Sequence, residues 1–323
     1  MQFFLRFTVF YALFGLGFVA LFRAEPMAVL SDMAATVPSA MTFFFQQAWW
    51  ALIAFAALFL VLPRARLMAR IPRAIGALVG CSFFFLTFTM VKASLPFAVP
   101  FWADPLLADI DRALHLGVDP WRLTHAVMLQ WSGETFQAFY MGLWMIPSMY
   151  FPVLLALFDG DDRRVSLYLR LYAWAWAGIG TLFALTFMSG GPIYFGRMTG
   201  SSDFAPLQEA LAQSGITDSV VGATQSHLWQ VYADGVQTLG SGISAFPSVH
   251  VAVASVIALY LAERFRFALL PMIGVIAGYQ ILSVHLGWHY AIDGYFSIAT
   301  VLALRAWMRR PHHAARAMKP VAP

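Results

Sequence analysis

The sequence predicts an all-α, polytopic integral membrane protein. Hydrophobic residues make up 60% of its 323 positions and charged residues only 11%, whereas soluble domains carry about 25% charged residues. The hydrophobic residues gather in runs of about 20, the length of helix that crosses a hydrocarbon core of roughly 30 Å. The net charge of +4 comes mainly from basic residues in short loops between these runs. It therefore indicates membrane topology and not nucleic-acid binding.

Eight hydrophobic runs qualify as membrane spans. The first is too long for the core of a signal peptide and lacks a small-residue cleavage site, so we expect it to remain as a helix. Some of the others are nearer 17 residues, which is the short end for a span. The predicted spans are residues 3–22, 41–62, 74–91, 136–158, 167–188, 246–262, 267–284 and 290–308.

Basic residues predict the orientation of these spans. Alternate loops and the C-terminal tail are rich in Arg and Lys, which identifies that side as cytoplasmic. The residues on this side are Arg64, Arg66, Arg70, Arg73, Arg163, Arg164, Arg264, Arg266, Arg309, Arg310, Arg316 and Lys319. The opposite side carries the more scattered Arg23, Lys92, Arg112, Arg122 and Arg197. The Ala- and Arg-rich composition favours a bacterial inner membrane over a eukaryotic lumenal location, with both termini cytoplasmic and the outer loops in the periplasm.

The chain is predicted to form one membrane domain with an N-terminal addition. Residues 1–73 form a transmembrane hairpin and a basic loop, residues 74–308 the main membrane core, and residues 309–323 a basic cytoplasmic tail.

Two long outer segments interrupt the core. Residues 92–135 are too broken by proline for a span and too apolar for disorder, so they predict an interfacial or re-entrant segment. Residues 189–245 contain an amphipathic helical stretch around 204–239. This stretch either caps an outer site or serves as a solvated connector.

Two polar islands near the C-terminal end carry the candidate chemistry, because ionisable groups at span boundaries are functional candidates. His289 and Asp293 are four residues apart, which places them on one face of a helix. A carboxylate that binds one imidazole nitrogen makes the other more basic, as a nucleophile or general base requires, although such a pair can also be purely structural. His250 could protonate a leaving oxygen, and Ser248 with helix N-terminal amides could hold an anion. The islands are Phe246-Pro247-Ser248-Val249-His250 and His285-Leu286-Gly287-Trp288-His289-Tyr290-Ala291-Ile292-Asp293.

Together the islands resemble those of the type 2 phosphatidic acid phosphatase superfamily. These are integral membrane lipid phosphatases and phosphotransferases that use no metal and form a phosphohistidine. The resemblance covers roughly residues 74–308 as a six-helix core, with about two additional N-terminal helices. The sequence is most similar to the inositol phosphorylceramide synthase branch. The motifs that carry this are Ala245-Phe246-Pro247-Ser248-Val249-His250, His289-Tyr290-Ala291-Ile292-Asp293, Gly191-Pro192-Ile193-Tyr194-Phe195, Asp111-Arg112-Ala113-Leu114-His115 and Gly117-Val118-Asp119-Pro120-Trp121.

The resemblance implies an enzyme that acts on a lipid phosphate or phospholipid headgroup at the outer face, without a cofactor or metal. The acceptor is water, an alcohol or a second lipid. The implied roles are nucleophile for His289, orienting partner for Asp293, general acid for His250, phosphate ligand for Ser248, and substrate-site residues for Gly191 and Tyr194.

The sequence departs from the superfamily in its cationic residues. No Lys-x6-Arg-Pro motif is present, and Ser283 stands where the superfamily has an arginine six residues before the nucleophile. A transferred phosphoryl group still needs cationic or N–H partners. The candidates are Arg197 first, then Lys92, Arg122 and His285.

Each of these candidates also has a structural interpretation. Lys92 could extend from its helix end toward water. Arg112 and Arg122 could pair with nearby aspartates, and His285 could cap its helix or stack on Trp288.

The same residues allow two alternative functions. His285, His289 and Asp293 are spaced as zinc ligands on one helix, which would indicate an intramembrane hydrolase, although Gly287 interrupts such a helix. A non-enzymatic lipid transporter or scaffold is the other alternative. The single cysteine, Cys81, excludes a disulfide framework and a cysteine metal site, and the oligomeric state is left open.

Overall fold

The computed structural model describes residues 1–61, 63–128, 140, 142–236 and 240–310. All regular secondary structure in these residues is helical, which confirms the all-α prediction. Four helices are long and apolar enough to cross a membrane, namely Gln2–Phe22, Pro26–Leu60, Arg64–Ala98 and Arg266–His285. The predicted tail beyond 310 and residues 129–139 lie outside the described part of the chain, including the start of the predicted span 136–158.

The main helices are α1 (Gln2–Phe22), α2 (Pro26–Gln47), α3 (Trp49–Val61), α4 (Ile71–Ala98), α5 (Asp104–Leu114), α6 (Pro120–Met128), α7 (Leu143–Phe158), α8 (Asp162–Ala173), α9 (Ala205–Gln213), α10 (Val220–Ala233), α11 (Val249–Arg264), α12 (Leu269–His285) and α13 (Ala291–Met308). A π-helical segment, Trp174–Phe183, continues α8. The six-helix core consists of α4, α7, α8 with its π-helical continuation, α11, α12 and α13.

The second predicted span is longer than the sequence suggested. It was expected over 41–62, but the helix already begins at Pro26. Proline is well tolerated in the first helical turn because its missing N–H has no partner there. The polar residues between 31 and 39 therefore belong to a helix and not to a loop.

The N-terminal helices pack into the six-helix core and do not stand apart from it. Phe4, Tyr11 and Phe18 of α1 are buried in the same apolar cluster as the residues of α4 and α8. The Tyr11 hydroxyl lies 2.7 Å from Oγ1 of Thr181 in the π-helical segment. These contacts fix α1 against the part of the bundle that leads to the polar islands.

In the described part of the first outer segment, residues 92–98 continue α4, and the helices α5 and α6 follow, connected by residues 115–119. Helix α5 presents the buried carboxylates of Asp104 and Asp111 to the bundle, while Asp109 on its other face is exposed. The second outer segment forms α9 and α10, in agreement with the helical stretch predicted there.

The opposite end of the bundle is closed by an ion-pair network. Glu263 at the end of α11 accepts hydrogen bonds from Arg305 at 2.8 Å, Arg309 at 2.8 Å and the Tyr168 hydroxyl at 2.8 Å. The network links α8, α11 and α13. The cavity lies at the other end of these helices, where the polar islands are.

Candidate active site

The two polar islands meet at one cavity of about 390 Å³, within the range of ligand pockets. His250 at the start of α11 and His289 just before α13 both line it. Lys92 of α4 lines it as well. The structure therefore brings together residues that are far apart along the chain.

His289 and Asp293 form the predicted pair. Nδ1 of His289 lies 3.0 Å from Oδ2 of Asp293, and both side chains are buried. The backbone N–H of Tyr290 donates to the same carboxylate oxygen at 3.2 Å. Because Asp293 engages Nδ1, it favours the tautomer in which Nε2 is the reactive nitrogen.

His250 lies across the cavity from His289, with ring centroids 6.4 Å apart. Its ring is held between two aromatic side chains, Trp144 at 4.1 Å and Tyr140 at 4.8 Å. The indole N–H of Trp144 also donates to the backbone carbonyl of His250 at 3.2 Å. Stacking on both faces restricts the imidazole to a single plane.

Ser248 joins the islands instead of lining the cavity. Its backbone N–H donates to the Asp293 carbonyl at 3.3 Å. Its hydroxyl oxygen accepts from the Val251 N–H at 3.4 Å as the N-cap of α11, and the side chain is fully buried. The structure thus gives Ser248 a positioning role, and Ser248 is not among the residues that line the cavity; its role as a phosphate ligand stays a prediction.

The cation at the cavity is Lys92 and not Arg197. Lys92 lines the same cavity as His250 and His289. Arg197 is exposed, its guanidinium lies 5.0 Å from the Trp229 ring, and it is not among the cavity residues. The sequence favoured Arg197 because its loop leads toward the islands, but its side chain packs over Trp229 instead.

The other cationic candidates have structural partners. Arg122 lies 3.6 Å from Asp119, and Arg112 lies 2.7 Å from Asp119, which confirms the predicted pairing of these arginines with nearby aspartates. His285 is the last residue of α12 and stacks on His125 at 4.1 Å. The His125 ring donates through Nε2 to the His285 carbonyl at 2.8 Å.

Gly191 and Tyr194 occupy tight positions beside the cavity. Gly191 has φ +88, and a side chain there would collide with the Trp288 carbonyl, so only glycine fits. The Tyr194 ring lines the cavity, while its hydroxyl donates to the Gln225 carbonyl at 2.8 Å. Both residues therefore shape the wall next to His289.

Asp104 organises the loop that contains Gly191. Its carboxylate accepts hydrogen bonds from the N–H groups of Gly190 and Gly191 at 2.8 and 2.9 Å, and from the Tyr290 hydroxyl at 3.0 Å. Burial raises the pKa of Asp104, and these three hydrogen bonds oppose that effect.

Asp111 organises the start of α13 in the same way. Its two oxygens accept from the N–H groups of Ala291 and Ile292 at 2.8 and 2.9 Å. Burial raises the pKa of Asp111, and the two backbone bonds oppose that effect. The sequence did not reveal that Asp104 and Asp111 anchor these backbone segments, although their spacing of seven residues places both on one helical face.

The zinc alternative is not supported by this geometry. Helix α12 ends at His285 and α13 begins at Ala291, with Gly287 at φ +73 between them. Among the described residues, no group of three His, Cys, Asp or Glu side chains could hold a metal ion. His285, His289 and Asp293 therefore do not form the predicted ligand set.

Comparison with known proteins gives one match. A family model described as the PAP2 superfamily matches residues 105–318, roughly two thirds of the chain. No curated protein and no solved structure matches the chain significantly. The matched region contains both islands, whereas Lys92 and Asp104 precede it.

Substituting Asp111→Asn should destabilise the protein. The amide would turn an N–H donor toward one of the two backbone N–H groups that the carboxylate now satisfies, at a cost on the order of 2 kcal/mol. We expect the thermal unfolding midpoint of the detergent-purified protein to fall by several degrees. Asp109→Asn is the matched control because Asp109 lies on the same helix with its side chain 77% exposed. Equal midpoints for the two variants would contradict the assigned role of Asp111.

Proposed function

We propose that this chain, which belongs to the PAP2 superfamily and thus to a group of membrane lipid phosphatases and phosphotransferases, transfers phosphoryl groups through a phosphohistidine on His289. The observation that carries this proposal is the cavity that His250, His289 and Lys92 line together, with His289 bonded to Asp293 and its ring centroid 6.4 Å from that of His250. Nucleophile, orienting carboxylate, proton donor and cation are the parts that metal-independent phosphoryl transfer requires.

In the first step, Nε2 of His289 attacks the phosphorus of a lipid phosphate ester. A P–N bond forms and the P–O bond to the lipid alkoxide breaks, while protonated His250 gives its proton to the departing oxygen. Asp293 stabilises the positive charge that develops on the His289 ring. Binding of the anionic phosphate would favour the protonated form of His250 needed for this step.

In the second step, an acceptor hydroxyl attacks the phosphohistidine. Neutral His250 now takes the proton of the acceptor as a general base, the P–N bond breaks, and His289 is restored. The acceptor is water in a phosphatase, and a lipid or alcohol hydroxyl in a transferase.

Lys92 is the proposed stabiliser of charge on the transferred phosphate. Among the described residues that line the cavity, Lys92 is the only lysine or arginine. It thus supplies part of what the missing superfamily arginines would provide. Backbone N–H groups at the start of α11 are the second source of positive potential near the site.

A transferase of the inositol phosphorylceramide synthase type is favoured over a plain phosphatase. The cavity lining is dominated by aromatic and aliphatic side chains, and a dry site protects a phosphoenzyme from water. The donor is then a phospholipid headgroup phosphate, and the acceptor is a second lipid. The site is proposed to face the periplasm of a bacterial inner membrane, with both termini cytoplasmic, because of the distribution of basic residues.

Removal of either histidine should strongly lower turnover, but the two variants should differ in their response to labelling and to the leaving group. We expect His289→Ala to lower activity on phospholipid substrates roughly 10³-fold or more and to prevent acid-labile phosphate labelling of the protein. We expect His250→Ala to lower activity roughly 10²–10⁴-fold but to recover much of the first step with a nitrophenyl ester, since a nitrophenolate leaves without a proton.

His227→Ala is the control for these variants because His227 is an exposed histidine of α10. Unchanged turnover in His289→Ala would overturn the proposed mechanism. Equal impairment of His250→Ala on alkyl and nitrophenyl esters would remove His250 from the role of general acid.

Lys92→Met should slow phosphoryl transfer on the order of 10²-fold, because loss of one preorganised charge contact typically has this effect. Lys92→Arg should retain part of the activity, since it keeps the charge. Arg197→Met is the matched control and should change turnover little. A larger loss in Arg197→Met than in Lys92→Met would reverse the assignment of the cation.

The acceptor can be tested with headgroup-labelled phospholipids. We expect addition of ceramide or diacylglycerol to give a new labelled lipid at the expense of water-soluble labelled phosphate. Identical release of water-soluble phosphate with and without either acceptor would identify the protein as a hydrolase. Both outcomes are read by thin-layer chromatography of the same reactions.

A further inference from the structure

The cavity extends from the histidines into an apolar chamber whose walls come partly from the N-terminal helices. The chamber is lined by Phe43, Phe44, Phe85, Phe88, Met145 and Met149. Phe43 and Phe44 belong to α2, and Phe85 and Phe88 to α4. All six are continuous with the lining that contains Lys92, His250 and His289.

The walls of the chamber are held in place by packing. Phe44 is fully buried, stacks on Phe85 at 5.8 Å, and accepts a backbone hydrogen bond from the Tyr150 hydroxyl at 2.8 Å. Phe85 and Phe88 both contact Trp176 of the π-helical segment, at 4.7 and 4.9 Å. The chamber is therefore formed by the rigid core of the bundle.

Phe43 occupies a different environment from its neighbours on α2. It is half-buried at the chamber, whereas Phe45, two residues further along the helix, is 46% exposed and does not line the cavity. The same helix thus offers a phenylalanine that lines the cavity and one that does not.

We propose that this chamber binds an acyl chain of the lipid substrate and that α2, through Phe43 and Phe44, selects its length. This inference rests on the proposed function, since it requires the lipid phosphate to lie at His289. A ligand that fits both ends must carry an anionic group for Lys92 and a long apolar tail for the aromatic walls. Both phenylalanines lie outside the residues that the family model matches, so the selectivity belongs to the N-terminal addition.

The proposal explains why α2 is part of the cavity. Each methylene buried in such a chamber changes affinity roughly four-fold. A wall residue that shortens or lengthens the chamber by one or two methylenes therefore changes the relative rates for long and short chains. Residues at the phosphate end would instead change all chain lengths equally.

A chain-length series tests the proposal directly. The probes are dioctanoyl, dilauroyl, dipalmitoyl and dioleoyl phosphatidic acid in mixed micelles, compared by kcat/KM. We expect Phe43→Ala to raise the ratio of long-chain to short-chain kcat/KM roughly four-fold or more, and Phe43→Trp to lower it by a similar factor. Phe45→Ala is the matched control and should leave the ratio unchanged. Phe43→Leu replaces Phe43→Ala if the smaller side chain prevents folding.

The outcomes separate this inference from the proposed function. Active Phe43 variants with an unchanged ratio would overturn the acyl-chain assignment and leave the phosphohistidine mechanism standing. Full activity of His289→Ala would overturn the mechanism, whatever the ratio shows.

A binding measurement covers the case in which phosphatidic acid is not turned over. Phosphatidic acid with a photoreactive diazirine at the end of one acyl chain is cross-linked to the His289→Ala variant, and the labelled peptides are identified by mass spectrometry. We expect label on the segments of α2 and α4 that carry the chamber residues, reduced by excess unlabelled phosphatidic acid. Label confined to α1, which contributes no residue to the cavity lining, would overturn the proposal.

Discussion

The buried carboxylates of Asp104 and Asp111 hold the backbone on which the rest of the site depends. Both lie on one face of α5, and each accepts two backbone N–H bonds from a distant part of the sequence, Asp104 from the loop at Gly190 and Gly191 and Asp111 from the first turn of α13. A carboxylate in an apolar environment is costly unless hydrogen bonds satisfy it. These two are satisfied by backbone next to the cavity, so the stability of α5 and the geometry of the site depend on each other.

The effect of Asp104 reaches the first island through one intermediate residue. Ser189, next to the glycines that Asp104 binds, accepts hydrogen bonds from the N–H groups of Ala245 and Phe246 through its carbonyl and its hydroxyl, each at 2.9 Å. Ser248 then joins the first island to Asp293. A short outer helix therefore helps to fix His250 and His289 relative to one another.

Residues that precede the matched family region contribute to the candidate site. Helix α4 of the six-helix core supplies Lys92, and α2 supplies the aromatic end of the cavity, although the matched family region begins only at residue 105. The polar and apolar ends of the cavity thus come from different parts of the chain. In the proposed function, the C-terminal helices supply the histidines, α4 supplies the charge, and α2 contributes to the shape.

Hydrophobic run length and motif spacing determined the fold class, most spans, and the pairing of His289 with Asp293, because these are local properties of a helix and its periodicity. Even so, the polar start of α2 concealed a helix from Pro26 onward.

Local spacing could not decide which cation reaches the site, since Lys92 lies about two hundred residues from His289 along the chain. Arg197 is nearer in sequence but turns away to Trp229. Likewise, Ser248 became a helix cap, and Asp104 and Asp111 became anchors, only through contacts between distant segments. Such contacts depend on how the helices pack, and packing is what only the tertiary structure decided.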